Sequence, residues 1–275
     1  MDNKLDQQTL KHLKETELMI LKDVIDVCDK HDIDYYLFFG TLIGAVRHEG
    51  FIPWDDDIDI MMFREDYEKF LKIFKNEKSD KYEVLEGRCQ DDYFLLFAKI
   101  SLKDTKFEEY WAKQVSFNLG IFIDIFILDN VPDNKVKRFL FKKYCFMMDK
   151  LLTMATIRLP EHYPPHIRIP ANAMHGILNR IGLDTEYFKK RTERLARKYE
   201  NQDTEYVCDL TEVKQFHFRR SDLKPAKIMK FEDIEAKVPN NYDYILKLLY
   251  GDYMKIPPEE ERTCHVLDGI EFGEY

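Results

Sequence analysis

The first part of the chain alternates between helical and strand-like patterns of apolar residues. Apolar side chains recur at helical spacing in residues 5–30, which predicts an amphipathic helix. The aromatic run 35–39 is typical of a buried strand, and TLIGAVRH after it predicts a short helix with Thr41 as its N-cap. The run DDDIDIMM begins a second strand, and REDYEKFLKIFKN predicts a helix with its aromatic residues on one face. Further strands are predicted at YEVLE, YFLLFAKISL and IFIDIFIL.

After residue 131 the pattern becomes mainly helical. Four prolines predict a loop over 159–170, and Gly251 ends a helix predicted at NYDYILKLLYG. A short strand-like region, KIMKFEDIEAKVP, precedes that helix. Other helices are predicted over 134–158, 171–182 and 185–200. Because the strands cluster in the first half and the helices in the second, we expect an α+β fold with two parts, 1–131 and 132–275.

Composition indicates the class of protein and its compartment. Of the 275 residues, 45% are hydrophobic and 34% are charged, as in ordinary globular proteins. No apolar run approaches the length of a membrane-spanning helix, and the polar N-terminal sequence MDNKLDQQTLKHLKE is unlike a secretory signal. The five cysteines are widely spaced and indicate a reducing compartment. We therefore expect a cytoplasmic protein.

Charge is unevenly distributed along the chain. The net charge of −9 argues against a nucleic-acid partner. Residues 135–198 nevertheless carry 15 Lys+Arg and 5 Asp+Glu, a net charge of +10. Such a segment suits peripheral contact with an anionic membrane or polymer, and it equally suits helices with solvated basic faces. Membrane contact would place the protein at the inner face of the membrane.

The densest chemical feature is the acidic run Asp55, Asp56, Asp57 and Asp59. On a strand Asp57 and Asp59 point to the same face, and Asp55 shares their parity. Carboxylates about 4 Å apart repel by on the order of 4 kcal/mol at an effective dielectric of about 20. A divalent cation removes this repulsion, and Mg²⁺ prefers carboxylates together with substrate phosphates. The run therefore predicts a site for Mg²⁺ or Mn²⁺; the alternative is an acidic loop at a strand end.

Asp124 is the one charged residue in the apolar strand IFIDIFIL. Burying an unpaired carboxylate costs several kcal/mol, so Asp124 should have a partner. A metal ion shared with Asp57 and Asp59 would be one solution, and a salt bridge or a raised pKa would be another.

Gly40 and Thr41 lie between a predicted strand and a predicted helix. A glycine allows close approach of a ligand, and the amides of a helix N-terminus bind phosphate. Together with the carboxylates of Asp57, Asp59 and Asp124, this cradle predicts metal-assisted phosphoryl transfer.

Five other polar residues are candidates for binding substrate. Arg47 is either a phosphate clamp or part of a surface salt bridge, and His48 lies beside it. Lys99 either reaches a phosphate or extends to solvent from an apolar strand. Arg262 and His265 follow a Pro-Pro turn and are expected to close the site.

The same residues carry a resemblance to a known family. The segment GTLIGAVRHEGFIPWDDDID resembles the LicD-family signature GTLLGAxRHxGFIPWDDDID almost without interruption. Near the end of the chain, VPNNYDYILKLLYGDYMKIPPEEERTCH is similar to the family as well. The LicD family is related to fukutin and the fukutin-related protein, within the nucleotidyltransferase-fold superfamily. The resemblance implies a nucleotidyltransferase-like core over 1–131, with a mixed sheet and flanking helices, and a part over 132–275 on the acceptor side.

The resemblance also implies a reaction. LicD proteins transfer phosphocholine from CDP-choline to sugars of teichoic acid or lipopolysaccharide, and fukutin relatives transfer ribitol phosphate from CDP-ribitol. For this chain it implies Mg²⁺-dependent transfer of phosphocholine, or of a similar phospho-alcohol, to a cell-surface or lipid-linked glycan, with release of CMP. Gly40-Thr41, Asp57-Ile58-Asp59 and Asp124 occupy the motif positions.

The implied roles follow those positions. Asp57, Asp59 and Asp124 would be catalytic. Asp55, Asp57 and Asp59 would hold the metal ion, with Asp124 as a further ligand or as the base that takes the acceptor proton. Burial in its apolar strand favours a raised pKa for Asp124, which suits a base.

Two other functions fit the same fold. A nucleotidyltransferase would pass the nucleotide itself to a sugar, alcohol or protein. A non-enzymatic scaffold would be expected to lack one of the three motif carboxylates, and none is missing here.

Overall fold

The computed structural model describes residues 5–161, 163–211, 216–262 and 267–275. In this part of the chain the helices are α1 (Gln7–Lys30), α2 (Phe39–His48), α3 (Arg64–Glu77), α4 (Lys135–Thr156), α5 (Pro165–Arg180), α6 (Thr185–Ala196), α7 (Arg220–Leu223) and α8 (Tyr242–Tyr250). The strands are β1 (Tyr36–Leu37), β2 (Asp59–Phe63), β3 (Tyr82–Leu85), β4 (Ala98–Leu102), β5 (Lys106–Glu109), β6 (Phe122–Val131), β7 (Tyr206–Cys208), β8 (His217–Arg219), β9 (Lys227–Phe231), β10 (Ile234–Val238) and β11 (Leu267–Glu271). The predicted α+β fold class is confirmed.

A mixed sheet with β6 at its centre forms the core. Its order is β1-β2-β6-β4-β3, with β2 parallel to β6 and the other neighbours antiparallel. The far end of β6 pairs with β7, which pairs with β8. Helices α1 and α3 pack against β6. Because both faces of β6 are covered, its sequence is an almost continuous apolar run rather than an alternating one.

Helix α1 forms where the helical periodicity predicts it. The Asp6 carboxylate caps the helix by accepting hydrogen bonds from the backbone N–H groups of Gln8 and Thr9, at 2.9 and 3.0 Å. Its buried side includes Leu13, Ile20, Leu21, Val24 and Cys28. Burial of this face against the sheet, rather than helix propensity alone, stabilises the helix.

Several predicted boundaries differ from the structure. Helix α2 begins at Phe39, so Thr41 lies inside the helix and is not its N-cap; Phe38 is the cap residue and supplies no side-chain hydrogen bond. Helix α5 begins six residues earlier than predicted, at Pro165, because a proline at the first helical position lacks only an N–H that would be unpaired there. The strand predicted at YFLLFAKISL is confined to β4.

The predicted division at residue 131 coincides with the end of β6, and both sides of it contribute strands to shared sheets. Strand β7 pairs with β6, and β11 pairs with β5. The predicted strand-like region before α8 is the hairpin β9–β10. The division into a core and a mainly helical part stays a prediction. No helix in the described ranges combines the length and hydrophobicity needed to cross a membrane.

Candidate active site

Three charged side chains lie in a row across the middle of the sheet. Asp59 on β2 is the register partner of Asp124 on β6, and Lys99 on β4 is the register partner of Asp124 from the other side. Directly paired residues of neighbouring strands present their side chains to the same face. All three side chains are buried, so the row forms a charged site inside the sheet's apolar surface.

Lys99 is the partner that the buried position of Asp124 requires. Its Nζ donates to both carboxylate oxygens of Asp124, at 2.8 and 3.0 Å. The same ammonium group lies 3.4 Å from the centre of the Phe122 ring, a cation–π contact. Because Lys99 is only 3% exposed, the expectation that it extends to solvent is wrong.

The two aspartates of the row hold protons more tightly than ordinary carboxyl groups. Burial raises the pKa of Asp124 to about 6, although Lys99 opposes the shift. Burial raises the pKa of Asp59 well above its usual range, and the charges of Asp57 and Asp124 add to this. Proton uptake near neutral pH, or a cation placed among these groups, relieves the repulsion.

The acidic cluster Asp55–Asp57 lies next to this row. One carboxylate oxygen from each of Asp55, Asp56 and Asp57 lies within 4.8 Å of the others, a spacing at which one cation can bind all three. Strand β2 begins only at Asp59, so Asp57 lies in the loop before it and the predicted strand alternation does not apply. Asp56, which sequence reasoning left without a role, is the most buried of the three.

Helix α2 positions both acidic groups. A Cβ atom on Gly40 would lie 2.7 Å from Asp55 Oδ2, so any other residue here would displace this carboxylate from its position. The Thr41 hydroxyl accepts a hydrogen bond of 2.8 Å from the backbone N–H of Asp59. Phe39, between strand and helix, has a φ of 45°, a strained value of the kind that often occurs at functional sites. Thr41 therefore orients Asp59, a contact that its sequence position did not reveal.

Glu17 on α1 is an acidic residue that sequence reasoning missed. It is buried, and its Oε2 has no hydrogen-bond partner among the described residues. Burial raises its pKa well above the usual range, with further contributions from Asp57, Asp56 and Asp55. The sequence feature that could have identified Glu17 is its position on the apolar face of α1, between Leu13 and Ile20, where a charged residue is unexpected.

Arg47 ties α2 to the C-terminal part of the chain. Its Nη1 donates to the carbonyl oxygen of Tyr253 at 2.6 Å, and its Nε donates to His48 Nε2 at 2.9 Å. Burial and the positive charge of Arg47 lower the pKa of His48, so His48 is a neutral acceptor at pH 7. Arg47 forms no salt bridge in the described part of the chain, and its role in phosphate binding stays a prediction.

Trp54 brings Arg262 to the same neighbourhood. The Arg262 guanidinium lies 4.3 Å from the centre of the Trp54 ring, and that of Arg47 lies 5.9 Å from it. Two arginines from distant parts of the chain therefore meet on one indole, next to the acidic cluster. His265, the other residue predicted to close the site, lies outside the described residues.

A separate cavity of about 340 Å³ opens between α3, the approach to β4, and α6. Tyr67, Arg88, Phe97, Lys189 and Glu193 are among the residues that line it, whereas no aspartate of the row or the cluster does. The ring centre of Phe97 lies 5.5 Å from Lys99 Nζ, so this cavity adjoins the charged row without containing it.

A known phosphotransferase resembles the chain over nearly its whole length. The lipopolysaccharide cholinephosphotransferase LicD of Haemophilus influenzae is 31% identical over 266 residues, which cover 92% of this chain and 95% of that protein. The chain belongs to the LicD family. Residues 32–149 match the domain described as LicD/FKTN/FKRP, nucleotidyltransferase domain. The human ribitol 5-phosphate transferase FKRP is 39% identical over 57 residues, 21% of this chain and 11% of that protein.

These comparisons confirm the family resemblance and the predicted enzyme class, a phosphotransferase. The LicD-family match contains Gly40, Thr41 and all of the motif aspartates. Glu17 on α1 and Arg262 lie outside it, next to the candidate site.

The acidic residues of this LicD-family site fit a divalent cation. Carboxylate oxygens are the ligands that Mg²⁺ and Mn²⁺ prefer, and those of Asp55–Asp57 converge. Burial raises the pKa of Asp59 and of Glu17, and the charges of neighbouring aspartates add to both shifts, so a cation among these carboxylates would stabilise their ionised forms.

Proposed function

We propose that this LicD-family protein transfers phosphocholine, or a similar phospho-alcohol, from a CDP-activated donor to a hydroxyl group of a cell-surface glycan, with release of CMP. The observation that carries the proposal is the row Asp59–Asp124–Lys99 beside the acidic cluster Asp55–Asp57. The chain that holds them resembles a lipopolysaccharide cholinephosphotransferase over 92% of its length. Buried carboxylates with raised pKa values next to a candidate metal site suit proton removal and phosphoryl transfer.

We assign the metal ligands to Asp55, Asp57 and Asp59; Asp56, whose carboxylate converges with those of Asp55 and Asp57, is a further candidate. Bound Mg²⁺, with Mn²⁺ as an alternative, would neutralise the charge of the donor pyrophosphate and of the departing CMP. Thr41 fixes the backbone of Asp59, and Gly40 leaves space for Asp55, so α2 presents these carboxylates in defined positions.

Asp124 is assigned to accept the proton of the glycan hydroxyl. Both of its oxygens already accept hydrogen bonds from Lys99, which makes it a poorer metal ligand than the three loop and strand aspartates. A pKa of about 6 leaves Asp124 mostly ionised at neutral pH while it remains a stronger base than an ordinary aspartate. Lys99 acts by holding Asp124 in place, and Arg47 and Arg262 are the candidates for contacts with donor phosphates.

The acceptor of the proposed reaction is a glycan or a lipid-linked glycan. The Haemophilus influenzae relative is a lipopolysaccharide cholinephosphotransferase, and the glycan of lipopolysaccharide is attached to lipid. We propose that the reaction takes place at the cytoplasmic face of the membrane, which agrees with the basic segment 135–198.

Calorimetric titration with CDP-choline, in the presence and absence of Mg²⁺, tests the donor. CDP-ribitol, CDP-ethanolamine, CDP-glycerol and CTP are titrated in parallel. We expect Mg²⁺-dependent binding of a CDP-alcohol, its loss in Asp57→Asn, and no change in the control Asp203→Asn, an exposed loop residue. Tighter binding of CTP than of every CDP-alcohol would contradict the proposal.

The fate of the α-phosphate separates the proposed reaction from nucleotidyl transfer. With a CDP-alcohol labelled at the phosphate next to cytidine, the label should remain in CMP. Appearance of the label in the acceptor would identify a nucleotidyltransferase instead.

A further inference from the structure

Exposed apolar side chains are concentrated on two helices far from the acidic cluster in sequence. Of the 16 exposed large apolar residues in the described ranges, 10 lie between residues 136 and 187. Large exposed apolar surfaces on a globular protein usually mark an interaction site.

Helix α4 presents an apolar stripe directly opposite its buried side. Val136, Leu140 and Met147 recur at spacings that place them along one line of the helix, and they are 66%, 61% and 48% exposed. Phe139 flanks the line and is also exposed. Lys143 lies within the stripe, with its Nζ 6.0 Å from the centre of the Phe139 ring.

Helix α5 continues the pattern. Ile167, Met174 and Ile177, followed by Ile181 just after the helix, recur at heptad-like spacing and are exposed. The α4 and α5 helices contact each other, so the two apolar stripes belong to one helical unit. We call these two stripes, with Phe139 and Ile181, the apolar face; the exposed Ile169 lies on the other side of α5 and is not part of it.

The chain segment that contains the apolar face is strongly basic. Residues 135–198 carry a net charge of +10. Lys137, Lys143 and Arg180 form no ion pairs with the described residues, so their charges are available to an anionic partner. Two copies of this face would repel each other, because each brings the same positive charge to the interface.

Helices with apolar side chains flanked by lysine and arginine bind the surface of anionic bilayers. The apolar side chains enter the boundary between headgroups and acyl chains, and each nearby basic residue contributes about 1 kcal/mol. Long lysine side chains such as that of Lys143 can extend from the apolar layer to the headgroups.

We infer that the apolar face of α4 and α5 docks on the surface of a bilayer that contains anionic lipid. The apolar side chains insert at the headgroup level, and Lys137, Lys143 and Arg180 contact the anionic headgroups. Docking is measured without donor or acceptor, so its test is independent of the proposed reaction.

Sedimentation of the full-length protein with phosphatidylcholine vesicles, with and without phosphatidylglycerol, tests this inference. We expect binding to the anionic vesicles that weakens as salt rises, because salt screens charged groups at the surface. Leu140→Ser combined with Met147→Ser should weaken binding by about tenfold or more while the melting temperature is retained, since both side chains are exposed in the free protein. Ile228→Ser is the matched control, because Ile228 is 57% exposed on β9, outside the apolar face, and should leave binding unchanged.

A second set of variants tests the role of charge. Lys137→Glu combined with Lys143→Glu should abolish the preference for anionic vesicles. Failure of the folded wild-type protein to bind anionic vesicles at low salt would overturn the inference. A second outcome would also overturn it: the wild-type protein is a dimer in analytical ultracentrifugation, and Leu140→Ser/Met147→Ser dissociates the dimer without changing vesicle binding. The apolar face would then bind a second copy of the chain rather than a bilayer.

Discussion

At the scale of single residues, a substitution at Gly40 tests the position of the Asp55 carboxylate separately from the stability of helix α2. It lies inside α2 and its φ is not positive, so Gly40→Ala should increase helix stability by up to about 1 kcal/mol. The added Cβ would lie 2.7 Å from Asp55 Oδ2, however, and Asp55 would have to move. We expect an unchanged or raised melting temperature together with a transfer rate that is lower by about tenfold or more, as for misplaced catalytic groups.

Gly176→Ala is the control for this prediction. Gly176 is also inside a helix, and nothing lies within 4 Å of the position that its Cβ would take. This variant should gain stability and keep full activity. Equal activity of Gly40→Ala and Gly176→Ala would show that Asp55 has no part in the reaction.

The pKa of Asp124 predicts how the stability of the metal-free protein depends on pH. Its pKa rises from an ordinary 3.8 to about 6 on folding, so between these values the native state binds more protons than the unfolded state. The free energy of unfolding should therefore fall as pH rises from about 4 to 6, by up to about 3 kcal/mol. Urea unfolding in EDTA measures this slope, and Asp124→Asn should make it less steep, with Asp59 and Glu17, whose pKa values burial also raises, contributing the remainder. A slope that is identical in the two proteins would contradict the assignment.

Mg²⁺ should reverse that loss of stability. Metal binding requires ionised carboxylates, so added Mg²⁺ should raise the melting temperature more at pH 7 than at pH 5. A ligand at about 100 times its dissociation constant stabilises the native state by about 2.7 kcal/mol. Asp57→Asn should remove most of the effect, whereas Asp203→Asn should keep it. An equal response of both variants would place the ion elsewhere.

At the scale of elements, the junction between β2 and α3 depends on one buried ion pair. Arg64, the first residue of α3, donates to both carboxylate oxygens of Asp129 on β6, at 2.8 and 2.7 Å. Both residues are buried. Arg64→Met leaves Asp129 as an unpaired buried charge and should cost about 3–5 kcal/mol of unfolding free energy.

The double variant Arg64→Met/Asp129→Leu should recover much of that loss, because it removes both charges. Urea unfolding of the two single variants and the double variant gives the coupling free energy. If the double variant lost as much unfolding free energy as the two single variants together, the contact between Arg64 and Asp129 would contribute nothing to stability.

Elements with strong local periodicity could be predicted from the sequence, and those formed by distant pairing could not. Helices α1, α3 and α4 have long amphipathic patterns, and the structure places them where those patterns lie. Strands β7 and β8 have three residues each and exist because β6 offers an edge to β7. The local sequence of β7 cannot predict its pairing with β6, because β6 lies about 75 residues away in the chain.

The candidate site shows the same limit. The acidic run and Asp124 are recognisable from the residues, because carboxylates in apolar strands are costly. The contacts of Lys99 with Asp124 and of Thr41 with Asp59 depend on strand register and on where α2 begins. Glu17 is brought to the site by packing of α1, which the helical pattern alone does not place against the acidic loop.

At the scale of the whole molecule, the two predicted parts are joined by backbone pairing as well as by side chains. The last residues of β6 pair with β7, and β5 pairs with β11. Arg47 donates to the carbonyl of Tyr253, and the Glu232 carboxylate accepts from the backbone N–H of Phe51 at 3.0 Å. The acidic loop is therefore held between the core and the C-terminal part of the chain.

This arrangement predicts that residues 1–131 do not fold stably alone. Without the C-terminal part, the ends of β5 and β6 lose their strand partners, and the apolar residues under β7 and the β9–β10 hairpin, such as Val131 and Phe51, become exposed. We expect the isolated fragment to show no cooperative thermal transition by circular dichroism, whereas the full chain shows one. Co-expression of 132–275 should restore a cooperative transition if the two parts associate through the same strand pairs. A cooperative transition of 1–131 alone would instead show an independent catalytic domain, and the contacts of Arg47 and Glu232 would then orient a preformed site rather than complete it.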